Sequence, residues 1–278
     1  MRAFLLIPVL ALSGCFSLDP FLYTPGKTDA YKLDPASDLP EEAVTADRIE
    51  AVTIPVGEHD KVEAAYVKGS EQPPRAYVIY FHGKGGTLDS AIGRAKRWSN
   101  MGFDVLVFDY RGWGLSTNLS PNEASILADT RAVRAWMLGR IGVANADRLI
   151  YYGHSLGTAT STQQAELEPP AILILESAFA SIHDFETDSS GMDFPVGFIA
   201  TGTWPTVDRV KNIHVPILLV HGLADEFVRP EFSQKIFANA NEPKRLELVE
   251  KAMHGDIPEV MGPANYTNLI QTFIAEHL

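Results

Sequence analysis

An α/β fold, with a mostly parallel sheet flanked by helices, is the class that this 278-residue sequence predicts. Three observations predict it. Short β-rich runs such as Ala76-Tyr77-Val78-Ile79-Tyr80-Phe81 alternate with segments of helical period. Those runs are apolar almost throughout, as expected of strands covered on both faces. The run Leu149-Ile150-Tyr151-Tyr152 leads directly into Gly153-His154-Ser155-Leu156-Gly157, a G-x-S-x-G pattern between a strand and an amphipathic segment.

Composition narrows the possibilities. At 46% hydrophobic and 21% charged the chain reads as globular, and its length suits one large α/β domain or two small ones. The net charge of -12 argues against a nucleic-acid partner. The one cysteine, Cys15, excludes an internal disulfide and a cysteine-based metal cluster.

Residues 1–14 stand apart. Arg2 precedes the apolar run Ala3 to Leu12, which is too short to span a bilayer and has the proportions of a signal-peptide core. It ends in Leu12-Ser13-Gly14-Cys15, which resembles the lipobox of bacterial lipoproteins. The resemblance implies lipidation at Cys15 and a membrane-anchored protein of the bacterial cell envelope. Phe16 after the cysteine resembles the outer-membrane sorting pattern of Gram-negative lipoproteins. Residues 15–45 are rich in Pro, Asp, Ser and Thr without a sustained period, and are expected to form a tether, either free or partly packed, from the anchor to a domain at 46–278.

Within that domain, the alternation Ile49 to Ile54 predicts a half-buried strand, with Val62 to Val67 as its hairpin partner. Ala76 to Phe81 is a central strand ending in His82-Gly83-Lys84-Gly85-Gly86, and a helix is expected from about Leu88 to Asn100. Val105 to Phe108 is the next strand, followed by Asp109-Tyr110-Arg111-Gly112-Trp113-Gly114-Leu115-Ser116. Ser120-Pro121-Asn122-Glu123 reads as a capping box with proline in the first helical position. Ile126, Thr130, Val133 and Met137 share one face of the helix it opens. After Ser155 a helix runs to about Glu166, Pro169-Pro170 breaks the chain, and Ala171 to Leu175 is a further strand.

Residues 177–214 interrupt the rhythm. They carry Gly191, Pro195, Gly197, Gly202 and Pro205 among scattered aromatics, and are expected to form a small cap. Its aromatics Phe179, Phe185, Phe194, Phe198 and Trp204 suit either an apolar acyl pocket or core packing. The alternation resumes with a strand at Ile217 to Val220, a helix from about Pro230 to Asn239 and a strand at Arg245 to Val249. A last helix carries Tyr266, Leu269, Ile270 and Phe273 on one stripe.

Ligands of such sheets bind at the carboxyl ends of the strands, where the Ser155 turn and the loops after Phe81, Val220 and Val249 all open. A serine hydroxyl needs a base, and the base needs a carboxylate to orient it. His254 sits in the loop between the last strand and the last helix, whereas the other seven histidines lie in turns, in the cap or inside the loop motifs. Asp225, directly after a buried strand, is the candidate acid, with Glu226 and Glu176 as alternatives. The helix that begins after Ser155 offers a free N–H from Leu156. Asp109 and Arg111 are expected to pair and brace a loop.

The order Ser155, Asp225, His254 is that of the α/β hydrolases. From about Ala76 onward the chain resembles that superfamily, and in particular the small-capped serine hydrolases that include bacterial esterases and acyl-protein depalmitoylases. The resemblance implies an oxyanion hole built from the backbone N–H groups of Lys84 and Leu156. Lys84 stands where family members often have Asn, and its side chain is expected to point to solvent.

The reading that follows is a serine hydrolase for carboxylic esters or thioesters, acting on a small-molecule or acyl substrate through an acyl-enzyme on Ser155. It needs no metal or organic cofactor. A peptidase or amidase with the same triad, or a non-catalytic binding lipoprotein, are the alternatives. No triad or oxyanion residue precedes Lys84, so catalysis is expected to be independent of the anchor. Oligomeric state is left open.

Overall fold

The computed structural model describes residues 23–182, 184 and 202–278. Eight strands form one sheet: β1 (Ile49–Val56), β2 (Asp60–Val67), β3 (Tyr77–Phe81), β4 (Asp104–Asp109), β5 (Leu149–His154), β6 (Ile172–Glu176), β7 (Ile217–Gly222) and β8 (Lys244–Val249). Their spatial order is β1-β2-β4-β3-β5-β6-β7-β8. The β1–β2 hairpin and the β2–β4 pair are antiparallel, and every later pair is parallel. The helices are α1 (Leu88–Asn100), α2 (Glu123–Ile141), α3 (Leu156–Leu167), α4 (Thr206–Arg209), α5 (Pro230–Asn239), α6 (Ile257–Met261) and α7 (Pro263–His277).

The pleat sorts each central strand between two cores. Val78 and Tyr80 of β3, Val107 of β4 and Tyr152 of β5 pack toward α1 and α7. Ile79, Phe81, Phe108 and Tyr151 pack on the opposite face with α2 and α3. Successive side chains of a strand point to opposite faces, so apolar runs without alternation are what a sheet covered on both sides requires. The helical stripes read from sequence are buried as expected: Ile126, Thr130, Val133 and Met137 on α2, and Tyr266, Leu269, Ile270 and Phe273 on α7.

One expectation changes. The capping box lies two residues further on than the sequence suggested. Asn122, not Ser120, caps α2, because its side chain accepts from the Ser125 N–H while the Ser125 hydroxyl answers the Asn122 N–H. Pro121 therefore precedes the helix. The expected tether, from Tyr23 onward, is packed along the domain. Tyr23 is buried, Asp89 of α1 accepts from the N–H groups of Lys32 and Leu33, and Lys96 Nζ donates to the carbonyls of Asp34 and Ala36. The tether's earlier part, including Cys15, lies outside the described residues, as does residues 1–14. So do Phe185, Phe194 and Phe198 of the expected cap.

Candidate active site

β5 delivers Ser155 to the carboxyl edge of the sheet. The strand ends at His154 and α3 begins at Leu156, so one residue makes the reversal. Ser155 has φ 56° and ψ -123°, a conformation that a residue with a Cβ adopts only under constraint. The glycines on either side make room for it. A Cβ on Gly157 would stand 1.8 Å from the Phe81 carbonyl oxygen, and one on Gly153 would stand 2.4 Å from that of Gly157. Two hydrogen bonds pin the turn: Ser155 N–H to the Glu176 carbonyl at 3.0 Å, and Thr158 Oγ1 to the Ser155 carbonyl at 2.6 Å.

The loops after β7 and β8 bring Asp225 and His254 to the same edge. His254 Nε2 lies 2.9 Å from Ser155 Oγ, and His254 Nδ1 lies 2.8 Å from Asp225 Oδ2. A carboxylate only accepts, so Nδ1 carries the proton and Nε2 is left to accept from the serine hydroxyl. Burial alone would raise the Asp225 carboxyl. Hydrogen bonds from His221 and His254, together with the Val228 N–H, overcome that and hold it well below the usual carboxylate range. Its second oxygen accepts from the N–H groups of Phe227 and Val228, both at 2.9 Å.

A cleft of about 390 Å³ opens over Ser155, with apolar walls from Leu156, Phe179, Phe227 and Val228. The loop after β3 passes close on its other side, where a Cβ added to Gly83 would come within 3.2 Å of Ser155 Cβ. Leu156 is the first residue of α3, and the first N–H groups of a helix have no intrahelical acceptor. Lys84 is exposed at the rim, and its carbonyl accepts from Trp113 Nε1 at 2.9 Å.

Comparison with known proteins places the chain in a family. The family model described as serine aminopeptidase, S33, matches residues 72–191. An uncharacterised protein of Mycobacterium tuberculosis is 32% identical over 199 residues, covering 72% of this chain and 69% of that one. The chain belongs to the α/β-hydrolase superfamily. The lysophosphatidylserine lipase ABHD12 of Danio rerio is 30% identical over 217 residues, and there this hydrolase covers 70% of its own length but 56% of the lipase. In fold it resembles the Pyrococcus furiosus esterase Pf2001, with a TM-score of 0.65, 18% identity, and coverage of 82% of this chain and 91% of that one.

The alternative acids lie elsewhere. Glu176 is fully buried, bound by Arg94 and by the hydroxyls of Tyr152 (3.0 Å) and Tyr266 (2.8 Å). Glu226 is exposed. Asp109 and Arg111 do not pair with each other as the sequence suggested. Arg111 binds Asp129 and Asp60, whereas Asp109 faces His82 and accepts from Tyr31. Of the cap aromatics, Phe179 lines the cleft, and Trp204 is a core residue whose Nε1 donates to Tyr23.

Some residues that shape the site carried no sequence signal. The His254 carbonyl accepts from His154 Nε2 and from Ser177 Oγ, each at 3.1 Å. Burial, then the charges of Arg94 and His254, hold His154 well below the usual imidazole range, so it donates as a neutral ring. His154 occupies the variable position of the G-x-S-x-G pattern, where the motif itself assigns no role.

Proposed function

We propose that this hydrolase cleaves acyl esters or thioesters through an acyl-enzyme on Ser155. The observation that carries the reading is the continuous line from Ser155 Oγ through His254 to Asp225, at 2.9 and 2.8 Å, opening on a cleft with apolar walls. His254 Nε2 takes the serine proton as Oγ bonds to the substrate carbonyl carbon. The carbonyl π electrons move to oxygen, and the N–H groups of Lys84 and Leu156 receive that oxyanion. The tetrahedral adduct then collapses. The bond to the leaving oxygen or sulfur breaks, and His254 returns the proton to it. Water, deprotonated by the same nitrogen, repeats the sequence and frees the acid.

An aminopeptidase must bind a free ammonium group beside the scissile bond. Among the described residues lining the cleft there is no Asp or Glu, while Lys84, Arg94 and His154 are present. That lining favours an uncharged or acidic substrate over a peptide N-terminus. The relative that is a lysophosphatidylserine lipase supports an acyl ester as the substrate class. The experiment is a series of p-nitrophenyl esters and acyl-thioesters of increasing chain length, run beside aminoacyl-p-nitroanilides. Turnover of the esters with Ser155 labelled by a fluorophosphonate is expected. Preferential turnover of the anilides would move the assignment to the peptidase reading.

The protein is further proposed to be an exported lipoprotein, held to a membrane of the cell envelope by lipid on Cys15. The short apolar run ending in Leu12-Ser13-Gly14-Cys15 supports this. Among the described residues no helix is long and apolar enough to cross a membrane. Cys15→Ala, followed by cell fractionation and palmitate labelling, is the test. Loss of both label and membrane association is expected, and retention of both would overturn the proposal.

A further inference from the structure

Lys84 stands between two fixed carbonyls. The Gly83 carbonyl accepts from His82 Nδ1 at 2.7 Å, and the Lys84 carbonyl accepts from Trp113 Nε1 at 2.9 Å. The peptide joining Gly83 to Lys84 is trans. In a trans peptide the C=O and N–H point in opposite directions, so holding the Gly83 oxygen sets the direction of the Lys84 N–H. The orientation of this donor therefore depends on what fixes the His82 ring.

His82 is 2% exposed, and its Nε2 faces Asp109 Oδ1 at 3.3 Å. Neither atom has an aligned hydrogen-bond partner, so the ring edge rests against the carboxylate in direct contact and its place depends on where the carboxylate is held. Asp109 is fully buried. Among the described residues, the one hydrogen-bond donor to its side chain is Tyr31, whose hydroxyl lies 2.6 Å from Oδ2 and itself accepts from the Leu115 N–H at 2.7 Å. Burial, then the Asp109 charge, push the Tyr31 phenol up, which keeps it a donor.

Tyr31 belongs to the segment that the sequence suggested was a tether. That segment also meets the oxyanion loop directly. A Cβ on Gly26 would stand 2.1 Å from the Gly86 carbonyl oxygen, and the Gly26 carbonyl accepts from the Gly114 N–H at 2.8 Å. By a second route, Tyr23 packs edge-on against Trp113 at 6.3 Å, the indole that holds the Lys84 carbonyl.

We propose that residues 23–36 form a strap that sets the oxyanion hole, with Tyr31 as a positioning residue acting on the Lys84 N–H through Asp109 and His82. The inference rests on the reading of Lys84 as an oxyanion donor. Catalysis stays independent of the anchor itself, but it comes to depend on residues that precede Lys84. The strap supplies no reacting group. Its hydroxyl aims a donor that works only once charge develops on the substrate oxygen, so its loss shows in kcat rather than in KM.

The test is Tyr31→Phe in the full chain, which deletes one oxygen and keeps the ring, assayed well below both thermal midpoints. Turnover of a p-nitrophenyl ester is expected to fall about tenfold with KM within twofold, against about 10²–10³ for outright loss of an oxyanion donor. A trifluoromethyl ketone, whose serine adduct carries the oxyanion, should lose affinity by the same factor as kcat/KM. Gly26→Ala should give the same signature by displacing the strap. A kcat within twofold of wild type in Tyr31→Phe overturns the proposal, as does a lower kcat with unchanged ketone affinity. Ser155→Ala separates the two levels. If it remains active the hydrolase mechanism falls, whereas if it is inactive and Tyr31→Phe is normal, only the strap inference falls.

Discussion

His221 Nε2 lies 3.2 Å from Asp225 Oδ2, the oxygen that also faces His254. The same nitrogen donates to the Val228 carbonyl at 2.8 Å, which leaves Nδ1 to accept from the Ser233 hydroxyl at 2.6 Å. The candidate acid is thus gripped by a buried imidazole on one side and by two backbone N–H groups on the other. Its carboxylate stands ready for His254 without any rearrangement.

Asp225→Asn is expected to lower kcat by on the order of 10⁴, since an amide favours the wrong His254 tautomer. The effect on stability depends on pH. The folded carboxyl lies below its unfolded value, so its contribution is present above about pH 4 and is lost as pH falls through the folded value. Urea denaturation should show wild type more stable than the variant at pH 6, with the gap narrowing below pH 4. A gap that widens on acidification would contradict the assignment.

Glu176→Gln should give the reverse pattern. It leaves the Arg94 guanidinium in a largely buried site without its counter-charge, which costs about 3 kcal/mol, while the triad keeps its contacts. Chemical denaturation measures the loss. Activity per folded molecule is expected to stay within tenfold of wild type, and a larger drop in kcat than Asp225→Asn produces would make Glu176 the acid.

His154 titrates against the fold. It is neutral when folded, whereas the unfolded chain takes up a proton below about pH 6.5, so stability falls as the solution is acidified through that value. Replacement by Gln, which can still donate to the His254 carbonyl, removes this term. Between pH 7 and 5 the wild-type ΔG should decline more steeply than the variant's, by a difference approaching about 1.4 kcal/mol per pH unit. Parallel slopes would count against a neutral, half-buried His154.

Gly157→Ala and Gly139→Ala should diverge. The first places a methyl 1.8 Å from the Phe81 carbonyl, with backbone on both sides, and soluble folded protein is expected to be lost. The second lies in the exposed interior of α2 with nothing within 4 Å, and should stabilise by about 0.5–1 kcal/mol through helix propensity. Thermal melts of the two variants settle both.

The sheet and its catalytic edge were legible because each functional loop adjoins an apolar run that only a covered strand explains. The bounds of α1 and α5 match those expected from the sequence. What separates Asp225 from Glu176 is depth and company, which spacing along the chain does not encode. Asp109 and Arg111 are two residues apart, yet they reach different partners because the chain turns after β4, sending Arg111 toward α2. The strap was illegible for a related reason. Its hydrogen bonds join Tyr31 to Asp109 across 78 positions, and its polar composition is also that of an unpacked linker.

The docking of Tyr23 sets a leash length. With lipid on Cys15, seven residues, or eight Cα–Cα steps, separate the anchor from Tyr23, where the chain is fastened to Trp113 and Trp204. Fully extended, that distance is at most about 29 Å. The catalytic mouth would then stay within reach of the bilayer surface, and substrates partitioned into that surface would meet it at a local concentration far above their bulk value. A soluble version made by cutting at residue 45 would lose more than its lipid, because the clamp on the oxyanion loop would leave with it. A cut just before Tyr23 would remove the proposed anchor and leave the strap in place.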